Sequence, residues 1–234
     1  MSYSLTPVGH IQSPFKEKFA VPRQPGLAPS AIASIVLEND ANNLDTVRGI
    51  EQFSHLWILF LFNQNLDQGW TPTVRPPRLG GNERIGVFAS RATFRPNGIG
   101  MSVVPLKGIR QEKGHIIIDI SSCDLVDGTP VIDIKPYIPY SDAIADAIGG
   151  YAAEAPSTLN VQFSDAASYL LLKDPSGQHK QQVIKEVLAQ DPRPAYKKGK
   201  PDTKEYAVHL FDLNVKFTVD EPVITVTAIE AFGE

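Results

Sequence analysis

The chain has 234 residues, 42% of them apolar and 21% charged, with a net charge of −4. That balance is ordinary for a globular protein and excludes both a disordered chain and a general polyanion binder, so any contact with phosphate or nucleic acid must come from local basic patches. One cysteine, Cys123, excludes an internal disulfide and a thiolate metal site, and five scattered histidines lack ligand spacing, so no metal is expected.

The opening residues MSYSLTPVGH show no charged-then-apolar signal pattern, and the longest apolar run, residues 56–62, is far shorter than a membrane span. A soluble, cytoplasmic protein with no membrane contact is expected. Residues 8–11 read as a short strand, followed by a proline-stiffened loop over 13–29 in which Pro22-Arg23-Gln24-Pro25-Gly26 offers a guanidinium and an amide on a rigid turn. Residues 31–37 form a second candidate strand. Residues 53–62 carry WILFLF, apolar at every position, which fits a strand buried on both faces and ending in the amides Asn63 and Gln64.

Residues 75–100, RPPRLGGNERIGVFASRATFRPNGIG, hold five arginines (Arg75, Arg78, Arg84, Arg91, Arg95), no lysine and one acid, Glu83. Guanidinium in rigid Pro/Gly surroundings suits a fixed grip on carboxylate or phosphate; the alternative is a surface loop tied down by local acids. Residues 84–90, 101–106, 115–120 and 131–134 are further strand candidates, and DLVDGT at 124–129 supplies an Asp-Gly turn. With no helical period before about residue 140, these short strands predict a mainly β protein: a small β-barrel domain over 1–155 and a small α+β domain over 156–234.

In the second half, residues 178–190 give a clear helix with Val183, Ile184, Val187 and Leu188 on one stripe, stopped by Asp191-Pro192; residues 164–173 give a weaker one. Residues 206–219 alternate with a slip in phase near Asp212, and 223–229 would pair with them. Between helix and strands, DPRPAYKKGKPDTK (191–204) places five basic residues around Tyr196, which suits phosphate contact with base stacking or, equally, a solvated loop. No G-x-G-x-x-G, Walker loop or G-x-S-x-G elbow is present. From the residues alone, the reading ends at a β-rich domain with an arginine-lined pocket for an anionic or nucleotide-like ligand.

The strings SPFKEKFAVPRQPG (13–26), FSHLW (53–57), RPPRLGGN (75–82), RATFRPNGIG (91–100), DLVDGTPVIDIKPY (124–137) and QDPRPAYKKG (190–199) closely resemble the TsaA family, also called TrmO. The resemblance spans nearly the whole chain. It implies a β-barrel methyltransferase that binds S-adenosylmethionine, acts as a homodimer with the cofactor near the subunit interface, and methylates N6 of threonylcarbamoyl-adenosine beside the anticodon of threonine tRNA. By position, it implies cofactor contacts from Pro22, Arg23, Gln24, Asn63, Gln64, Arg91, Met101, Asp124, Leu125, Val126, Asp127, Gly128 and Thr129. The family often has histidine where this chain has Asn63.

The chemistry agrees with those residues. The cofactor carboxylate needs a cation, for which Arg23 or Arg91 serves, and its adenine needs polar edge partners such as backbone groups of 124–128. The target nitrogen is conjugated on both sides, so removal of its proton helps; Asp133 and Tyr137 are the base candidates, then Asp127. Asp133 in a salt bridge to an arginine is the alternative. Arg78 or Arg95 is expected at the threonyl carboxylate or an RNA phosphate, and Arg193, Tyr196, Lys197 and Lys198 at the tRNA backbone. Two other readings stay open: a non-catalytic nucleotide- or RNA-binding module, and a small-molecule methyltransferase.

Overall fold

The computed structural model describes residues 3–200 and 202–232. Its contacts divide the chain into two units: residues 1–12, 33–121 and 128–155 form one, and 13–32, 122–127 and 156–234 the other. The stiff loop at 13–32 and the segment at 122–127 thus group with the C-terminal part of the chain.

The first unit is built on six strands: β1 (Gly9–Gln12), β2 (Ile32–Leu37), β3 (His55–Leu61), and, after a two-stranded ribbon of β4 (Thr73–Val74) and β5 (Ile85–Gly86), β6 (Ile99–Glu112), β7 (His115–Ser121) and β8 (Pro130–Pro136). The hydrogen-bonded order is β1-β2-β7-β6-β3-β8, and β8 pairs back onto β1, so the set closes. A four-residue helix, α1 (Pro139–Asp142), follows. The interior is branched and aliphatic: Ile11, Ile35, Leu56, Ile58, Val104, Ile118, Ile120 and Val131 are fully buried. Each such side chain contributes on the order of 1.5–3 kcal/mol on leaving water.

Two strand expectations change. WILFLF is not buried on both faces: β3 alternates, with Leu56, Ile58 and Phe60 inside and Trp57, Leu59 and Leu61 half-buried outside. A closed sheet has one interior, so the outward positions keep their apolar character for another reason. The strand expected over 84–90 is only Ile85–Gly86; Val87–Ala89 is a single 3-10 turn among the arginines. Gly100 lies opposite Phe60 in the β3–β6 register, where a Cβ would come within 2.4 Å of the Phe60 ring, so only glycine lets these two strands pair at that point.

The second unit contains β9 (Asn160–Phe163), α2 (Asp165–Leu172), α3 (Gly177–Ala189), β10 (Tyr206–Leu210), β11 (Leu213–Asp220) and β12 (Val223–Ala231). Its sheet runs β10-β11-β12-β9, with β9 parallel to β12. The phase slip near Asp212 is the tight turn at Phe211, which has a positive φ of 59°. The apolar stripe of α3 packs on the sheet, and Ser164 caps α2 by accepting from the Ala167 N–H. A core from 156–234 alone would be small; Phe15, Ala28 and Ala31 of the proline-rich loop complete it. That loop is held by Ser30, which donates from both N and Oγ to Glu186 on α3.

Candidate active site

In the first unit, the register across β8, β3 and β6 puts Asp133, Leu59 and Met101 in one transverse row on the outer face. Two strand spacings separate the end members, about 10 Å. Met101 is half-exposed, and Asp133 forms an ion pair with Lys135 at 2.7 Å, not with an arginine. A candidate base and a candidate cofactor contact therefore share one row of one molecule. Tyr137 follows directly on β8: its ring lies 5.9 Å from Trp57 and 6.3 Å edge-on to His55.

Sequence reasoning missed Asp142. Its Oδ2 accepts from the Trp57 indole N–H and the Ile138 backbone N–H, both at 2.9 Å, and those bonds, the backbone one first, hold its carboxyl below the usual carboxylate range. The effect is to fix Trp57 and the Tyr137–Pro139 corner. The one signal was an Asp three residues after a Pro that opens a helical turn, which periodicity does not flag.

The arginine stretch separates into two kinds. Arg84 donates to Thr73 Oγ1 across the β4–β5 ribbon at 3.1 Å, and half-buried Arg95 donates to the carbonyl of Ser90 at 3.0 Å, closing the loop on itself. Arg75 and Arg78 are exposed, and neither makes a side-chain hydrogen bond or ion pair among the described residues. Arg91 is exposed as well. Asn63 and Gln64 open the 3-10 turn after β3, both exposed, where β3 ends.

In the second unit, the 13–26 loop that carries the 22–24 turn is hydrogen-bonded to the 122–127 segment. Asp127 Oδ1 accepts from the Ser13 N–H and Oδ2 from Lys16 Nζ, each at 2.9 Å, and the Asp127 N–H donates to the Phe15 carbonyl at 2.8 Å. Ser13 Oγ donates to the Leu125 carbonyl, and the Gly26 N–H to the Ser122 carbonyl. Asp127 is thus engaged in folding this loop. Pro22 is buried and Arg23 exposed, Leu125 is buried with its carbonyl taken by Ser13 Oγ, and Asp124 and Val126 are half-exposed. In the first unit, Gly128 continues the turn with φ +74° and open space at its Cβ position, while the Thr129 side chain is buried.

The 191–204 loop has a different design from the one its composition suggests. Arg193 is 0% exposed. Its Nε and Nη2 make a fork on Asp191 at 2.9 and 3.0 Å, Nη2 also reaches Glu221 at 2.5 Å, and Nη1 lies 3.6 Å from Asp202. The geometry removes Arg193 from the surface: it is the keystone of the loop and meets no phosphate from there. Glu221 Oε1 also accepts from the Gly199 N–H at 2.7 Å, and Tyr206 donates to Asp202 at 2.7 Å, which pushes its phenol up to about 12. Tyr196 is 67% exposed, and Lys197 and Lys198 are partly exposed above the buried acids. Asp202 and Glu221 carried no sequence signal, because they lie 9 and 28 residues from Arg193.

Each unit carries groups that suit S-adenosylmethionine chemically: in the first, exposed Arg91 for a carboxylate and exposed amides at 63 and 64; in the second, exposed Arg23 and the half-exposed 124–127 segment, whose loop is fixed by Asp127.

Residues 10–143 match the family described as tRNA-methyltransferase O N-terminal domain, and residues 156–232 match the TrmO C-terminal domain. Fold and site therefore define a class: proteins joining those two domains in one chain. The chain belongs to the TrmO family. It is 52% identical over 231 residues to the tRNA (adenine(37)-N6)-methyltransferase of Escherichia coli K12, covering 98% of each. It is 48% identical to a putative S-adenosylmethionine-dependent methyltransferase of Pseudomonas aeruginosa, covering 95% of each. The crystal structure of TrmO from P. aeruginosa superposes with a TM-score of 0.80 at 40% identity, over 99% of both chains.

Proposed function

We propose that this chain is an S-adenosylmethionine-dependent tRNA methyltransferase that methylates N6 of threonylcarbamoyl-adenosine next to the anticodon of threonine tRNA. The observation that carries the reading is the paired match of both domains to one family, with near-complete coverage of a relative named for adenine-37 N6 methylation. Bound S-adenosylmethionine supplies the methyl group. Arg23 or Arg91 meets its carboxylate, and Pro22, Gln24, Asn63, Gln64, Met101 and the 124–129 backbone are the further contacts the resemblance implies. Asn63 replaces the family's usual histidine, so an amide takes over that contact.

Arg78, free of internal partners among the described residues, grips the threonyl carboxylate; Arg95 braces the loop that presents it and offers its remaining donors. Asp133 takes the N6 proton, with Tyr137 as the other candidate, and Lys135 keeps the carboxylate in place. Tyr196, Lys197 and Lys198 hold the anticodon-stem backbone. We further read the closed six-stranded sheet as the family's β-barrel, and the protein as a metal-free cytoplasmic homodimer. The half-buried apolar outer face of β3 and β6, including Leu59 and Met101, supports a subunit contact there.

Labelled S-adenosylmethionine offered with threonine tRNA should label only the threonylcarbamoyl-modified form. Label in unmodified tRNA refutes the substrate assignment, and binding without transfer favours a non-catalytic module. Lys197→Glu/Lys198→Glu should weaken tRNA binding and flatten its salt dependence while cofactor affinity holds.

A further inference from the structure

Two carboxylates beneath the basic loop, Asp191 and Asp202, each have short donors and one more distant lysine. Asp191, 7% exposed, takes the Arg193 fork at 2.9 and 3.0 Å, but Lys198 Nζ stands 3.8 Å away. Asp202, 3% exposed, takes the Tyr206 hydroxyl at 2.7 Å, but Lys197 Nζ stands 3.7 Å away. The short bonds have hydrogen-bond geometry; the lysine pairs are beyond it and are Coulombic only. The lysine side chains are 39% and 35% exposed, whereas Arg193 is not exposed at all.

We propose that Arg193 is a positioning residue that acts as the resident counter-ion of this loop, satisfying Asp191 directly and standing beside Asp202, so that Lys197 and Lys198 are free to swing onto RNA phosphate. The inference rests on the tRNA reading of those two lysines given above. Three features of the cluster support it beyond the pairing itself. Arg193 Nη1 lacks a hydrogen bond among the described residues and lies 3.6 Å from Asp202 Oδ2, so a shift of a few tenths of an ångström takes up Asp202 when Lys197 departs. Burial holds the Lys198 ammonium below the ordinary lysine value against the pull of Asp191, with Arg23 and Arg193 pushing in the same direction as burial, so Lys198 gains by leaving. Glu221, shared between Arg193 Nη2 and the Gly199 N–H, pins the far end of the turn so that only the side chains move.

Without the guanidinium, two buried carboxylates would capture the lysines and hide them from RNA. The test uses the full chain, unlabelled threonine tRNA and a salt series. Arg193→Met should lower tRNA affinity about tenfold and reduce the log–log salt slope by about two units, one per lost lysine contact, with S-adenosylmethionine affinity unchanged. Adding Asp191→Asn and Asp202→Asn to that variant should restore affinity to within about twofold, which a merely structural arginine would not allow. Asp202→Asn alone, with Arg193 in place, should raise affinity about twofold by releasing Lys197, and so decides the matter if Arg193→Met does not fold. Normal tRNA binding by folded Arg193→Met, no rescue by the added substitutions, or unchanged or weaker binding by Asp202→Asn overturns the inference. If Lys197→Glu/Lys198→Glu itself leaves tRNA affinity unchanged, the tRNA reading of the loop falls instead.

Discussion

Two arginine-bearing loops of this protein use the same side chain in opposite ways. In residues 75–100, Arg75 and Arg78 stand exposed with no side-chain hydrogen bond or ion pair among the described residues. In residues 191–204, Arg193 is fully enclosed by Asp191, Asp202 and Glu221. The difference lies in the acids: the first stretch has only Glu83 within it, while three carboxylates converge on Arg193 from two segments of chain. Three enclosing acids make Arg193 internal structure, whereas Arg75 and Arg78, without such partners, stay at the surface. Local basic composition therefore does not report which arginines are available.

The largest effect that would break the comparison concerns stability. Arg193→Met removes the short enclosed donors of Asp191 and Glu221, which the more distant lysines replace only in part, and should cost about 3–5 kcal/mol of the second unit's stability. Urea unfolding followed in that unit measures it; a loss under about 1 kcal/mol would mean the enclosure is incidental.

Arg78→Glu should do the reverse. Stability should stay within about 0.5 kcal/mol, because the side chain touches nothing that needs it. Methyl transfer to modified tRNA should fall about tenfold in kcat/KM, or about 1.4 kcal/mol of transition-state binding. A stability loss with normal kinetics would assign Arg78 to the fold.

The smallest effect sharpens the contrast by adding a second buried cation. Lys180 on α3 lies between Asp174 at 2.7 Å and Asp212 at 2.6 Å. The Lys180 hydrogen bond, helped by Ser176, holds the Asp174 carboxyl at about 2, below its ordinary 3.8. A depressed carboxylate contributes stability above its unfolded value and loses it as pH falls through the folded one, so the contribution fades between about pH 4 and 2. Acid unfolding of Asp174→Asn should lack this dependence; an unchanged acid limb would remove the pair from the account.

Several features were legible in the chain as written. The stripe of Val183, Ile184, Val187 and Leu188 gave α3 nearly to its ends, and the slip at Asp212 gave the β10–β11 turn, because both depend on local period and chain geometry. The β-rich first part and the second α+β part were legible for the same reason. Motif strings carried the family, since they run through both matched domains.

What the tertiary structure alone decided were relations between distant segments. WILFLF reads as buried on both faces because hydrophobicity does not say which side of a strand is inside; closure of the sheet supplies that. Phe15, Ala28 and Ala31 belong to the core of the second unit because apolar burial is indifferent to sequence distance. Arg193 was read from its basic neighbours, but its environment was set by Asp202 and Glu221, and electrostatic energy depends on spatial separation and solvent exclusion, neither of which composition contains.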